Sequence, residues 1–292
     1  MSAPSKGLAG PNVLLMGPAG TGKTTALGTL AETGIELFVV FLESGKEALI
    51  GYFADKGKPI PANVHWHVLA PPKRDFKTMG ANALKINTLD QKTLANMQDP
   101  NRSLHNTFLK LIECMGDFID DRTGEHFGPV DDWGPDRAIA LDGLTGVCAA
   151  AMSMVTGGKP MRSQPDWGIA QDQVESFLRM CCDQCSCWFV LLAHVDRETD
   201  LISGGIKLMP TSLGKALPPK IAPMFSDVIL TVREGTTWSW DTANSQADVK
   251  ARNLPWKAGQ PPNFAPIFAS WSKRSIAAQA ETPAPGTGAA QG

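Results

Sequence analysis

The chain has 292 residues, enough for one large α/β domain or two small ones; 43% hydrophobic and 19% charged residues is a globular balance that excludes a wholly disordered chain. Lys and Arg total 27 against 29 Asp and Glu, which excludes whole-molecule polybasic attraction to nucleic acid and leaves only local patches for such binding. No apolar run approaches the roughly 20 residues that span a bilayer, Met1–Gly10 lacks the apolar core of a secretory signal, and six cysteines are too few for a disulfide scaffold, so the expected compartment is a reducing cytoplasm.

Residues 1–10 are small and polar and are expected to be a flexible N-terminus. Val13–Met16 is a short apolar run leading into a Gly-rich turn, and Thr24–Thr33 has helical composition. Leu37–Leu42 is a continuous apolar, β-branched and aromatic run of the buried-strand type, and Val64–Leu69 is a weaker strand candidate. Residues 75–120 read mainly as helices, because Leu104, Phe108, Leu111, Ile112, Met115 and Ile119 recur at three- and four-residue spacing. Ala138–Leu141 is another buried strand, ending at Asp142. Gly168–Cys182 is helical, and Trp188–Ala193 is a strand ending at His194. Val228–Val232 and the alternating stretch Thr237–Lys250 supply late strands. Strands alternating with helices imply an α/β fold with a mainly parallel central sheet and crossover helices. The division expected is a domain over 11–272 and, from the Ala, Pro, Gly, Thr and Gln that dominate after Ser275, a disordered tail over 273–292.

Gly17, Pro18, Ala19, Gly20, Thr21, Gly22, Lys23 and Thr24 fit G-x-x-x-x-G-K-[ST], between a strand run and a helix run, and Thr25 follows at the start of that helix. The glycines let backbone N–H groups turn inward around phosphates, and the helix presents its positive N-terminal end. Lys23 is placed to reach the β- and γ-phosphates of ATP, and the Thr24 hydroxyl to ligate Mg²⁺. Asp142 ends an apolar strand, as a Walker-B aspartate must to hold the metal's shell. Gly143 follows it, so the Glu that polarises water in many ring ATPases is absent there. Glu43 ends the strand after the phosphate loop, and carboxyl ends of neighbouring parallel strands face one crevice. Glu43, Asp142, His194 and the loop are therefore expected to converge. Neither Asn-Lys nor Thr-Lys occurs, which removes the base-reading motif of GTPases.

This layout resembles the RecA-like recombinase superfamily over about residues 11–256, most weakly over 71–135. The resemblance implies that Glu43 orients the attacking water and that His194 senses the γ-phosphate. Most recombinases carry Gln at the latter place; His is similar to the phage-encoded RecA-like single-strand annealing ATPases. Lys250-Ala251-Arg252 matches the K-x-R pattern by which RecA-like oligomers reach a neighbour's γ-phosphate, implying a homo-oligomer with Lys250 and Arg252 acting in trans.

Two segments are locally basic, Thr156–Pro165 with Lys159 and Arg162, and Ile202–Ser226 with Lys207, Lys215 and Lys220. Glycine pairs near each opening favour mobile loops, and they occupy the places of the two DNA-binding loops in RecA-like proteins. Lys and Arg in such loops suit a single-stranded DNA backbone, and Trp167 offers a stacking face. Cys181, Cys182, Cys185 and Cys187 include one ligand-like spacing without the distant second pair of a structural zinc site, and read as small core residues. The function expected is an ATPase that binds single-stranded DNA and promotes annealing or strand pairing, with a single-strand binding protein as a further partner and, if phage-encoded, the host cytoplasm as its site. A RecA-fold helicase or packaging motor, or a nucleotide-gated assembly protein with little hydrolysis, are the alternatives.

Overall fold

The computed structural model describes residues 8–70, 75–97, 102–199 and 204–280. Strand β1 (Asn12–Met16) enters the phosphate loop and helix α1 (Lys23–Ala31); β2 (Glu36–Phe41), α2 (Lys46–Ala54) and β3 (Val64–Val68) follow. An excursion holds α3 (Phe76–Thr88), α4 (Gln91–Asn96) and α5 (Thr107–Gly116), before β4 (Arg137–Asp142), α6 (Leu144–Thr156), α7 (Gln164–Asp183) and β5 (Trp188–Ala193). The last part comprises β6 (Val195–Thr199), β7 (Ile206–Pro210), α8 (Pro218–Met224), β8 (Asp227–Glu234), β9 (Thr237–Asp241), β10 (Lys250–Ala251) and α9 (Ala265–Ala280).

The central sheet runs β10-β8-β1-β5-β4-β2-β3. Its core strands are parallel, while β9 and β10 run antiparallel on the outer edge of β8. Alternation along each strand feeds two cores. Leu14, Met16, Phe38, Val40, Ile139 and Leu141 face α5, α6 and α7, whereas Val13, Leu15, Leu37, Val39, Ala138 and Ala140 face α1, α2 and α9. Strands buried on both faces explain why the sequence shows them as unbroken apolar runs. The β3 edge is covered: Asp120 accepts from Trp66 N and Asp121 from Val68 N. Among the described residues no helix is long and apolar enough to cross a membrane.

Several expectations change. Helix α9 continues to Ala280, through the start of the expected tail, because Phe264, Ile267, Phe268 and Trp271 anchor it over Trp188, and Ala and Gln prolong it as good helix formers. Residues 281–292 and 1–7 lie outside the described part of the chain. Ile119 is not helical; it pairs with His126 across a short antiparallel bridge. Most of the second basic segment is ordered backbone: β7 pairs with β6, and α8 carries Lys220. Its first residues, 202 and 203, fall outside the described residues. The alternating stretch 237–250 is a strand only to Asp241 and at its last residue. The four clustered cysteines are core residues at the junction of α7 and β5, and burial pushes the Cys182 thiol up to about 12.

Gly28 of α1 lies directly against the Tyr52 ring of α2, where any Cβ would collide. Gly51, in α2, has nothing within 4 Å of an added Cβ. Gly28→Val is expected to lower the unfolding free energy by about 1–3 kcal/mol by overpacking. Gly51→Ala is expected to raise it by about 0.5–1 kcal/mol by restraining the unfolded chain. Denaturant titration with an unchanged m-value measures both.

Candidate active site

The phosphate loop turns back on itself through Gly20 and Gly22, at φ of 74° and 79°, a region that side chains with a Cβ rarely adopt. Gly17 is pinned by its N–H to the Ala193 carbonyl (3.1 Å), and an added Cβ there would strike Thr231. Thr21 joins the same prop, 2.6 Å from the Thr231 hydroxyl. Lys23 is buried, and its ammonium donates to the carbonyls of Gly17 and Pro18 at 2.8 Å each. Burial lowers its pKa to about 8, against the opposing pull of Asp142 and Glu43. Pro18, Ala19 and Gly20 are exposed at the loop's tip, and Thr25 is exposed on the first turn of α1.

Because the strands are in parallel register, their carboxyl ends lie level. Met16 pairs with Ala193, Leu192 with Asp142, and Asp142 with Phe41. The residues at or just beyond these ends therefore meet. Thr24 donates its hydroxyl to Asp142 Oδ2 at 2.7 Å, so hydroxyl and carboxylate already share the position that a divalent ion's shell needs. Burial raises the pKa of Asp142, partly offset by the Thr24 hydrogen bond. Glu43 sits between two elements: Oε1 accepts from the Gly146 N–H of α6 at 3.0 Å, and Oε2 lies 3.5 Å from His194 Nε2. The peptide between Asp142 and Gly143 is cis.

A cavity of about 800 Å³ holds Lys23, Thr24, Glu43, Asp142 and His194 together, and extends along α1 to Thr29, Tyr52, Trp238 and Pro262. Buried lysine, hydroxyl–carboxylate pair and a second carboxylate level with them fit a Mg²⁺-bound polyphosphate with a water beside it. Sequence reasoning missed Gly45, whose bare Cα lets the Asp142 carboxylate through, and Gly146, Thr231 and Trp238. No motif marks these positions. Glycines two residues after Glu43 and four after Asp142 are the only trace, and Thr231 acts from a strand remote in sequence.

The remaining candidates are dispersed. Lys159 faces Asp166 at 3.7 Å, Lys207 pairs with Asp248 at 2.8 Å, and Lys220 with Glu175 at 2.7 Å. Segments free of acid in sequence are thus partly neutralised by acids from outside them. Arg162 and Lys215 are exposed. The Arg162 guanidinium lies 5.4 Å from the Trp167 ring centroid, and Gly214 packs beside Trp167 and Gln171. These two cations and Trp167 therefore share one region. The hairpin β6–β7 starts immediately after His194 and closes on it, Thr211 N donating to the His194 carbonyl at 2.8 Å.

Lys250 and Arg252 lie at the opposite end of the sheet. Lys250 pairs with Val228, near the amino end of β8. Its ammonium donates to the carbonyls of Pro223 (2.9 Å) and Phe225 (3.1 Å), closing the end of α8. Lys250 is thus engaged within its own chain, away from the cavity at the carboxyl ends of the strands. Arg252 is exposed.

No protein-family model matches the sequence, and no curated protein matches it. Solved structures that resemble it include the RadB recombinase, at 11% identity over 86% of both chains with a TM-score of 0.38. Another is the flagellar accessory protein FlaH from Methanocaldococcus jannaschii, at 8% identity over 80% of this chain and 76% of that one, with a TM-score of 0.33. A third is an ATPase from the type III secretion system of pathogenic bacteria, at 12% identity over 77% of this chain with a TM-score of 0.38. The chain spans about half (53%) of that ATPase's length. The architecture itself is an α/β fold with strand order β8-β1-β5-β4-β2, a mainly parallel sheet flanked by helices, and the phosphate loop after β1.

Lys250→Met removes two hydrogen bonds at the end of α8 and is expected to cost about 1–2 kcal/mol of stability in the monomer. Arg252→Met should change stability by less than about 0.5 kcal/mol. Thermal unfolding of both variants at low protein concentration tests the contrast.

Proposed function

We propose that the protein is an ATP-dependent, single-stranded DNA-binding recombination protein that promotes annealing or strand pairing, acting as a homo-oligomer in the cytoplasm, that of the host if phage-encoded. The observation that carries the enzymatic half is the convergence of Lys23, Thr24, Asp142, Glu43 and His194, drawn from separate elements, in one cavity. In this reading ATP supplies the γ-phosphoryl group and Mg²⁺ neutralises its charge. Lys23 leaves the carbonyls of Gly17 and Pro18 to meet phosphate oxygens. Thr24 and Asp142 hold the metal's shell. Glu43 takes the proton side of the attacking water, and His194 contacts the γ-phosphate end.

The DNA half draws support from the region shared by Arg162, Trp167 and Lys215, two cations beside an aromatic face. A single-strand backbone would run past the cations, with a base on or near the indole. Lys159, Lys207 and Lys220 contribute less than their charge suggests, since each faces a carboxylate. The bond from Thr211 to the carbonyl of His194 ties the second basic segment to the γ-phosphate end, a route by which DNA and nucleotide would affect each other. In the oligomer, Lys250 and Arg252 act at a neighbour's site, Arg252 being exposed and Lys250 first leaving the carbonyls of Pro223 and Phe225.

Lys23→Ala is expected to abolish ATP hydrolysis, and Glu43→Gln to lower it by about 100-fold or more while leaving nucleotide affinity within threefold. Turnover measured with and without single-stranded DNA tests this, and undiminished turnover in Lys23→Ala would overturn the site. Annealing of complementary strands should require ATP. Nucleotide-dependent assembly with no hydrolysis would instead indicate the assembly protein, and processive unwinding the motor.

A separate expectation concerns DNA. Single-strand affinity should fall as salt rises, and Arg162→Ala and Lys215→Ala should each weaken binding and flatten the log–log salt slope by about 0.7. A salt-independent affinity in the wild type would remove the DNA half of the proposal.

A further inference from the structure

The polyphosphate end of the cavity accounts for only part of it. Beyond Thr25 the space continues along α1 to Thr29. On one side stand Tyr52 and Asp55, with Tyr52 lying against Gly28 of α1. On the other stand Trp238 and Pro262, in a segment fixed to α1 where Phe264 N donates to the Thr29 hydroxyl at 2.9 Å. Lys23 is the only lysine or arginine among the lining residues, while Lys56, over the Tyr52 ring, and Arg233, beside Trp238, are engaged with aromatic rings. What the far end offers is an aromatic face, hydrocarbon, the exposed Thr25 hydroxyl and the Asp55 carboxylate as acceptor. That composition suits a flat, uncharged ring bearing N–H groups.

Trp238 is held for such a role. Its indole N–H donates to the Gly20 carbonyl at 3.0 Å, which fixes the ring beside the phosphate loop and satisfies its only polar atom. The Arg233 guanidinium lies 5.3 Å from the ring centroid. Yet the residue remains 43% exposed, whereas Trp240, two positions along the same strand, is buried edge-on to Phe264. One tryptophan serves the core. The other stands open at the cavity.

We propose that Trp238 is the stacking platform for the nucleobase of the bound nucleoside triphosphate. The assignment rests on the nucleotide site proposed above. It adds a residue that no motif identifies, and it ties base binding to the hairpin β8–β9.

Calorimetry with ATP and with inorganic tripolyphosphate, both as magnesium complexes, separates base from phosphate recognition. Trp238→Ala should weaken ATP by about tenfold or more while shifting tripolyphosphate by less than about twofold. Trp238→Phe, which keeps an aromatic face, should hold ATP within about threefold of the wild type. In the wild type ATP should also change tryptophan emission where tripolyphosphate does not, and Trp238→Phe should lose that change. Equal weakening of both ligands in Trp238→Ala would mean that the indole merely props the phosphate loop, and would overturn this assignment alone. Unchanged ATP affinity in Trp238→Ala would overturn it too. A wild type that binds neither ligand would overturn the nucleotide site itself, and the platform with it.

Discussion

The site depends on the register of a parallel sheet. Met16, Phe41, Asp142 and Ala193 end their strands at one level because each strand is locked by apolar side chains on both faces. A slip of one residue in β4 would exchange Ile139 and Leu141 with Ala138 and Ala140 between two differently shaped cores. The same slip would carry Asp142 away from Thr24. Burial of side chains that never touch substrate thus sets the distance between groups that would. Precision at the carboxyl end of the sheet is inherited from packing in its middle.

That packing also supports an electrostatic arrangement costly in isolation. A buried ammonium, a buried carboxylate and a half-buried one lie around one cavity, and burial moves the pKa of Lys23 down and that of Asp142 up. None of the three stands unpartnered: Lys23 has two carbonyls, Asp142 the Thr24 hydroxyl, Glu43 the Gly146 amide. Each partner is a neutral dipole, which a phosphate or a metal ion can displace with gain. The site is therefore satisfied by exchangeable partners.

Much of this was legible in sequence, and for a physical reason. Strands buried on two faces must be apolar without interruption, so Leu37–Leu42, Ala138–Leu141 and Trp188–Ala193 declare themselves, and the polar residue that ends each run is conspicuous. Glu43, Asp142 and His194 were found that way. Strand β6, with the sequence Val-Asp-Arg-Glu-Thr, has four exposed residues and no such signal. The end of α9 was lost because its anchoring aromatics lie upstream of an Ala-rich stretch that resembles a tail. The intrachain partners of Lys250 were not legible for another reason: they are backbone carbonyls at the end of α8, which no side-chain pattern reports. The pairing of Lys207 and Lys220 was hidden likewise, because Asp248 and Glu175 come from outside the basic segment.

Helices α3 and α4 contain no buried residue, and Phe76, Met79, Leu84 and Ile86 stand exposed on α3. Side-chain caps alone, Asp75 on Thr78 and Asp90 on Thr93, close their first turns. Such short helices gain little from the rest of the molecule, so their opening is set by local helix–coil balance, not by global unfolding. On that footing α3 and α4 can open and re-form while the sheet, and the cavity at its carboxyl end, stay packed.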